Sequence, residues 1–192
     1  TEFEFAYPET GKLRGYNGQY TGDPAEIDAV AEALEQAEKP LIFFGGGVTL
    51  SDTSDALRAI VQRLGVPTAS TLMGLGCVAQ DTKGYLGFAG MHGSYGANMA
   101  IQECDLLVCI GMRFSDRVTG RVAEFAPNAK IVHFELDIAE VNKNVAVDYR
   151  VLGDLRWSLP ILLEKLQASK TDFAGKYAAW MEHVLAVGAE HP

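Results

Sequence analysis

Short, wholly apolar runs alternate with amphipathic stretches along most of the chain. Asp23-Pro24-Ala25-Glu26 carries the marks of a helix start: a carboxylate that can cap, a proline at the first helical position and an acid where a capping box needs one. Ile27, Val30, Ala31, Leu34 and Ala37 follow at helical spacing. Pro40-Leu41-Ile42-Phe43-Phe44 is apolar throughout and ends in Gly45-Gly46-Gly47, the pattern of a parallel strand covered on both faces. A second helix is predicted over 51–64, with Leu57, Ile60, Val61 and Leu64 on one stripe and Gly65 as its stop, and a strand over 66–71 follows. The glycine-rich passage 73–93 leads into a helix over about 94–103. Strands are predicted over 106–110, 131–136 and, more briefly, 149–152. Helical pattern then runs to about Gln167, with Pro160 either kinking that helix or marking its start. A last helical stretch over 170–187 puts Phe173, Tyr177, Trp180 and Val184 roughly along one side.

This alternation predicts an α/β fold, a parallel sheet of about six strands with helices on both faces. Residues 23–168 read as the domain itself, 1–22 as an entry linker without helical periodicity, and 169–192 as a helical exit linker. In such sheets ligands sit at the carboxyl ends of the strands, near a topological switch point. The glycines fall there repeatedly: Gly45 to Gly47, Gly74 and Gly76, Gly90 and Gly93, Gly111, and Gly153.

Composition narrows the function classes. With 48% hydrophobic and 21% charged residues in 192, the chain has enough apolar surface to offset the entropy of ordering, which excludes disorder. No apolar run approaches the ~20 residues needed to span a bilayer, so no membrane partner is expected. A formal net charge of −9 lacks the cationic footprint of a nucleic-acid binder. The three cysteines, Cys77, Cys104 and Cys109, form no C-x-x-C pair and fit a reduced, cytoplasmic interior rather than a disulfide scaffold or zinc site. The acidic, alternating start is no secretory signal, and the missing initiator methionine is expected of a piece of something longer.

Several segments carry candidate chemistry. Gly45-Gly46-Gly47 either lets backbone approach a phosphate or flat ring, with amides of the following helix as donors, or is a tight turn. It is not the G-x-G-x-x-G fingerprint. Gly111-Met112-Arg113-Phe114-Ser115-Asp116-Arg117-Val118-Thr119-Gly120 begins where a strand ends, so Arg113 and Arg117 project over the carboxyl edge. Two guanidiniums there suit a diphosphate or carboxylate; the other reading is a surface Arg–Asp network. Glu135 and Asp137 end a strand where a carboxylate accepts from sugar hydroxyls, and Asp154 either does the same or caps the next helix. Thr71 to Gly76 and Gly90-Met91-His92-Gly93 either wrap an aromatic ring system or pack as loops. His133 reads as a satisfied structural histidine, and neither it nor His92 has metal-ligand spacing. No nucleophile elbow and no acid–base pair stand out.

Thr71-Leu72-Met73-Gly74-Leu75-Gly76, Gly90-Met91-His92-Gly93, the Arg113-to-Gly120 string and Phe125-Ala126-Pro127-Asn128-Ala129-Lys130 together resemble the central domain of the large catalytic subunit of acetohydroxyacid synthase (acetolactate synthase). That family is thiamine-diphosphate dependent, and its central domain is Rossmann-like. The resemblance covers nearly the whole chain and implies FAD in a structural role. Its contacts would fall on Gly45, Gly46, Gly47, Thr71, Leu72 and Met73; on Gly90, Met91, His92, Gly111, Met112 and Arg113; and on Arg117, Val118, Glu135, Leu136, Gly153 and Asp154. Arg117 resembles the arginine that also receives the carboxylate of the second 2-oxo acid. The usual pair of aspartates after the phenylalanine is Ser115-Asp116 here, which removes one charge.

The resemblance also implies what lies elsewhere. The thiamine-diphosphate motif, Gly-Asp-Gly followed later by Asn, does not occur in these residues. Thiamine diphosphate and Mg2+ would be bound by flanking domains of the same chain, with no metal in this one. The whole enzyme, a flavoprotein and a transferase, would condense pyruvate with pyruvate or 2-oxobutyrate on the route to branched-chain amino acids. It would work as a homo-oligomer, with a possible regulatory small subunit. The segment alone is expected to be inactive. The alternatives are the central domain of another thiamine-dependent decarboxylase or carboligase, holding ADP or no nucleotide, and a purely structural assembly domain.

Overall fold

The computed structural model describes Glu4, Ala6 and residues 21–190. The entry linker expected over 1–22, including Tyr16-Asn17, therefore lies almost wholly outside the described residues. Helix α1 (Pro24–Gln36) leads into strand β1 (Pro40–Phe44). A one-turn helix α2 (Gly47–Leu50) and α3 (Ser54–Leu64) precede β2 (Thr68–Ser70) and β3 (Tyr85–Phe88). Then come α4 (Tyr95–Glu103), β4 (Leu106–Ile110), the short α5 (Asp116–Thr119), β5 (Lys130–Glu135) and β6 (Tyr149–Leu152). The chain ends in α6 (Leu155–Ala168), α7 (Phe173–Lys176) and α8 (Ala178–Glu190).

All six strands are parallel, in the order β3-β2-β1-β4-β5-β6. The α/β fold is thus as the alternation predicts, and the order in which strands are added reverses between β1 and β4. Because strand side chains alternate, β1 and β4 feed two separate cores. Ile42, Phe44, Val108 and Ile110 meet α1, α3 and α6 on one face. Leu41, Phe43, Leu107 and Cys109 meet α4 and α8 on the other.

Four local results differ from, or choose between, the expectations. The passage 73–93 contains β3 after all: an edge strand, half-buried and interrupted by Gly87 at φ 85°, lacks the continuous apolar run that marks its neighbours. The helix predicted over 51–64 is α3, which starts only at Ser54; the turn at Asp52 (φ 55°) separates it from the one-turn α2, which the sequence reading did not expect. Pro160 lies inside α6, which starts five residues earlier at Leu155. The segment expected as a helical exit linker folds back as α7 and α8, burying Phe173, Tyr177, Trp180 and Val184.

A cleft at the switch point

The turns after β1 and β4 touch at the switch point. The Gly45 amide donates to the Ile110 carbonyl (3.0 Å) and the Gly47 amide to the Gly111 carbonyl (2.8 Å). A side chain on Gly47 would meet the Gly111 Cα and carbonyl oxygen at 2.7 Å, and Gly111 itself holds φ +58°. Only glycine permits that approach and that backbone. The amide of Val48 also turns inward, to the Gly45 carbonyl at 3.2 Å. The Gly47 and Val48 amides, two of the donors expected at this helix start, are therefore committed to the fold, because that helix is a single turn against the β4 loop.

Above this contact lies a cavity of about 750 Å³, within the range of cofactor-sized sites. Gly46, Gly47, Thr71, Leu72 and Met73 wall one side; Gly111, Met112, Arg113, Arg117 and Val118 wall another. Glu135, Leu136, Gly153 and Asp154 close the far end. Gly45 lies buried beneath it, packed on Met112. Gly90 and Met91 line a separate hollow of about 340 Å³, which shares Arg117 and Val118 with the first. The Met91 amide holds the two loops together by donating to the Arg117 carbonyl at 2.9 Å. His92 is exposed and borders neither hollow.

The electrostatics of the large cavity are unusual. Arg58, Arg121 and Arg150 pair with Asp55, Glu124 and Glu26. Among the described residues, Arg113 and Arg117 form no ion pair. The Asp116 carboxylate accepts from the Arg117 amide (2.9 Å) rather than from a guanidinium, so no Arg–Asp network forms between these residues. Arg113, Arg117 and Arg156 thus line the cavity without an ion pair among the described residues, beside apolar Leu72, Met73 and Val118. Glu135 spends Oε1 on the amides of Leu136 (2.8 Å) and Asp137 (3.1 Å) and keeps Oε2 for other partners. Asp154 caps α6 by accepting from the Arg156 amide at 2.8 Å, one of the two roles its sequence position allowed, and keeps one oxygen free.

Several lining residues escaped the sequence reading: Leu50, Ser51, Phe134, Leu155 and Arg156. Leu50 is 85% exposed on the one-turn helix, legible only once that turn is placed. Arg156 did carry a signal. A cation in the first turn of a helix opposes the macrodipole, so something else holds it there; its Nε donates to the Ser51 carbonyl at 2.8 Å.

A family model for the central domain of thiamine pyrophosphate enzymes matches residues 27–166. The chain belongs to that family. The match runs from the first helix through α6, so it includes the whole sheet and both walls of the cavity. Among known relatives, the chain is 42% identical over 165 residues to a probable acetolactate synthase large subunit of Methanocaldococcus jannaschii, covering 86% of this chain and 28% of that one. It is 38% identical over 191 residues to the acetolactate synthase large subunit of Corynebacterium glutamicum, covering 100% and 30%. With the large subunit of acetolactate synthase isozyme 2 of Escherichia coli it shares 40% over 167 residues, 87% and 29% of the two chains. This central domain thus spans about three tenths of the length of the relatives it matches. Among the described residues there is no cluster of metal-ligating side chains, and no helix is long and apolar enough to cross a membrane.

Proposed function

We propose that this central domain holds FAD in the switch-point cavity as part of an acetolactate synthase large subunit. The observation that carries the reading is a cavity of cofactor size into which Arg113 and Arg117 bring guanidiniums that form no ion pair among the described residues. An anionic ligand relieves two like charges held without counter-ions, and guanidiniums bind phosphate oxygens in bidentate fashion. The rest of the donor set fits a flavin dinucleotide. Leu50, Leu72, Met73 and Val118 offer flat apolar contact to a ring system. The carboxylates of Glu135, whose Oε2 lies 3.6 Å from His133 Nε2, and of Asp154 offer acceptors for sugar or ribityl hydroxyls. Flavin here serves as an internal strut between the loops at the carboxyl rim.

Thiamine diphosphate with Mg2+, carried by flanking domains, supplies the electron sink for decarboxylation and carboligation. This domain contributes Arg117, which borders both hollows. One guanidinium can therefore touch the flavin slot and still receive the carboxylate of a second 2-oxo acid, pyruvate or 2-oxobutyrate, from the smaller side. A cation at that place selects oxo acids over neutral aldehydes. The enzyme would act in the cytoplasm as a homo-oligomer, its buried free thiols suited to a reducing compartment. A regulatory small subunit would complete the assembly.

The test is a ligand titration followed by thermal unfolding. FAD raises the melting temperature, since a ligand that binds only the folded state stabilises it by mass action. A shift with ADP and none with FAD replaces flavin by another nucleotide. No shift with either leaves an assembly domain.

A further inference from the structure

We propose that His133 is a positioning residue: it clamps the Met112–Arg113 wall of the cavity from the β5 side, through the Met112 carbonyl. His133 pairs in register with Cys109 in the middle of the sheet and is completely buried. The Phe114 ring lies 4.9 Å from its own. Its Nε2 sits 2.9 Å from the Met112 carbonyl oxygen. Since a carbonyl can only accept, Nε2 carries the proton and donates. Nδ1 has no hydrogen-bond partner among the described residues.

A half-satisfied imidazole is a costly filler. A buried polar atom left without a partner loses its hydration for nothing, and phenylalanine would fill a similar space without that loss. The one bond that the ring makes therefore accounts for its presence. That bond completes a set. The carbonyls of Ile110, Gly111 and Met112 are consecutive at the end of β4. The first two accept from the Gly45 and Gly47 amides on the β1 side, and the third accepts from His133 on the β5 side. The next residue is Arg113, one of the cations without an ion pair among the described residues. The same Nε2 lies 3.6 Å from Oε2 of Glu135, which closes the far end of the cavity. One buried ring thus touches two walls of the cavity without lining it.

The functional consequence rests on the flavin reading above, but the clamp itself does not. The experiment uses the protein as its full natural chain, with His133→Gln, which keeps a donor near the Nε2 position and loses the ring, and His133→Phe, which keeps a ring and loses the donor. His133→Leu replaces the second variant if that one does not fold. Amide hydrogen exchange is followed over residues 111–119 without flavin, and flavin affinity is measured well below both melting temperatures. Exchange is expected to quicken in the donor-less variant and to stay near wild type in His133→Gln. The flavin dissociation constant is expected to rise about tenfold in the former, the equivalent of one hydrogen bond, and at most about threefold in the latter. The reverse order, or no difference between the two, overturns the clamp and leaves His133 a packing residue. Failure of the wild type to bind FAD overturns the flavin reading alone, and the exchange order still decides His133.

Discussion

The two rims of the sheet are built on opposite principles. At the amino ends of the strands several polar groups are spent on the fold itself. Asp105 accepts from the amides of Glu38 (2.7 Å) and Lys39 (2.9 Å), and its own backbone bonds both Lys39 and Lys130, stitching β1, β4 and β5 together. Trp180 donates its indole N–H to the Pro40 carbonyl at 2.9 Å, with Lys39 over its ring. The Tyr177 hydroxyl donates to the Leu34 carbonyl. At the carboxyl ends the opposite holds: Leu50, Leu72, Met73, Met91 and Leu136 stand at least half exposed, and Arg113 and Arg117 have no counter-ion among the described residues. Both rims contain good donors, acceptors and apolar surface. The amino rim uses them on itself and contributes stability, whereas the carboxyl rim holds them open and is free to bind.

That contrast can be broken from either side, and the largest effect belongs to the closed rim. Trp180→Ala removes a buried aromatic and leaves the Pro40 carbonyl without its donor. It is expected to cost about 3–5 kcal/mol in denaturant unfolding, with flavin affinity unchanged while the protein stays folded. Lost affinity at equal foldedness would mean that the rims are coupled.

Gly47→Ala comes next. Its new methyl has Gly111 backbone at 2.7 Å and no flexible neighbour to push aside, so the β1 and β4 turns must part, at a cost of about 1–3 kcal/mol. Here stability and the flavin-induced melting shift are expected to fall together.

Tyr177 sharpens the closed rim through pH. Burial first, then the charges of Asp105 and Glu35, push its phenol from 10 up to about 12. The folded state therefore keeps the proton where the unfolded chain has lost it, and the native form binds more protons between those values. Stability is complete below pH 10 and declines as pH rises to about 12, by about 2 kcal/mol. Tyr177→Phe is expected to flatten that alkaline limb in unfolding curves measured against pH.

The smallest stability change belongs to the open rim. Arg113→Ala removes an exposed, unpaired side chain and should move stability by less than about 0.5 kcal/mol. Flavin affinity should nevertheless drop about tenfold, a charge-assisted hydrogen bond being worth at least that. A variant that loses stability but keeps its ligand would invert the assignment of the two rims.

The physics explains which features were readable from residues in order. Pro40–Phe44 and Leu106–Ile110 are buried on both faces, and such strands must be apolar at every position. Their type and place follow from local composition, as do the caps at Asp23 and Asp154. The glycines at strand ends marked the rim for the same local reason. Edge strand β3 left no such trace, because a half-buried strand may carry polar residues and glycine.

What belonged to the tertiary structure alone was adjacency. Gly47 and Gly111 are 64 positions apart and touch only because β1 and β4 are neighbours where the strand order reverses. The same reversal sets Arg113 across from Met73, commits the Gly47 amide to a neighbouring turn instead of a ligand, and carries Gly90 and Met91 to a second hollow. His133 shows the limit most clearly. Its alternation in an apolar strand marked it as buried, but its single bond to Met112 depends on a loop 21 residues away in the chain. Periodicity is a property of neighbours along the backbone; which carbonyl an imidazole reaches depends on strand order and register, and those are decided when the sheet closes its cores.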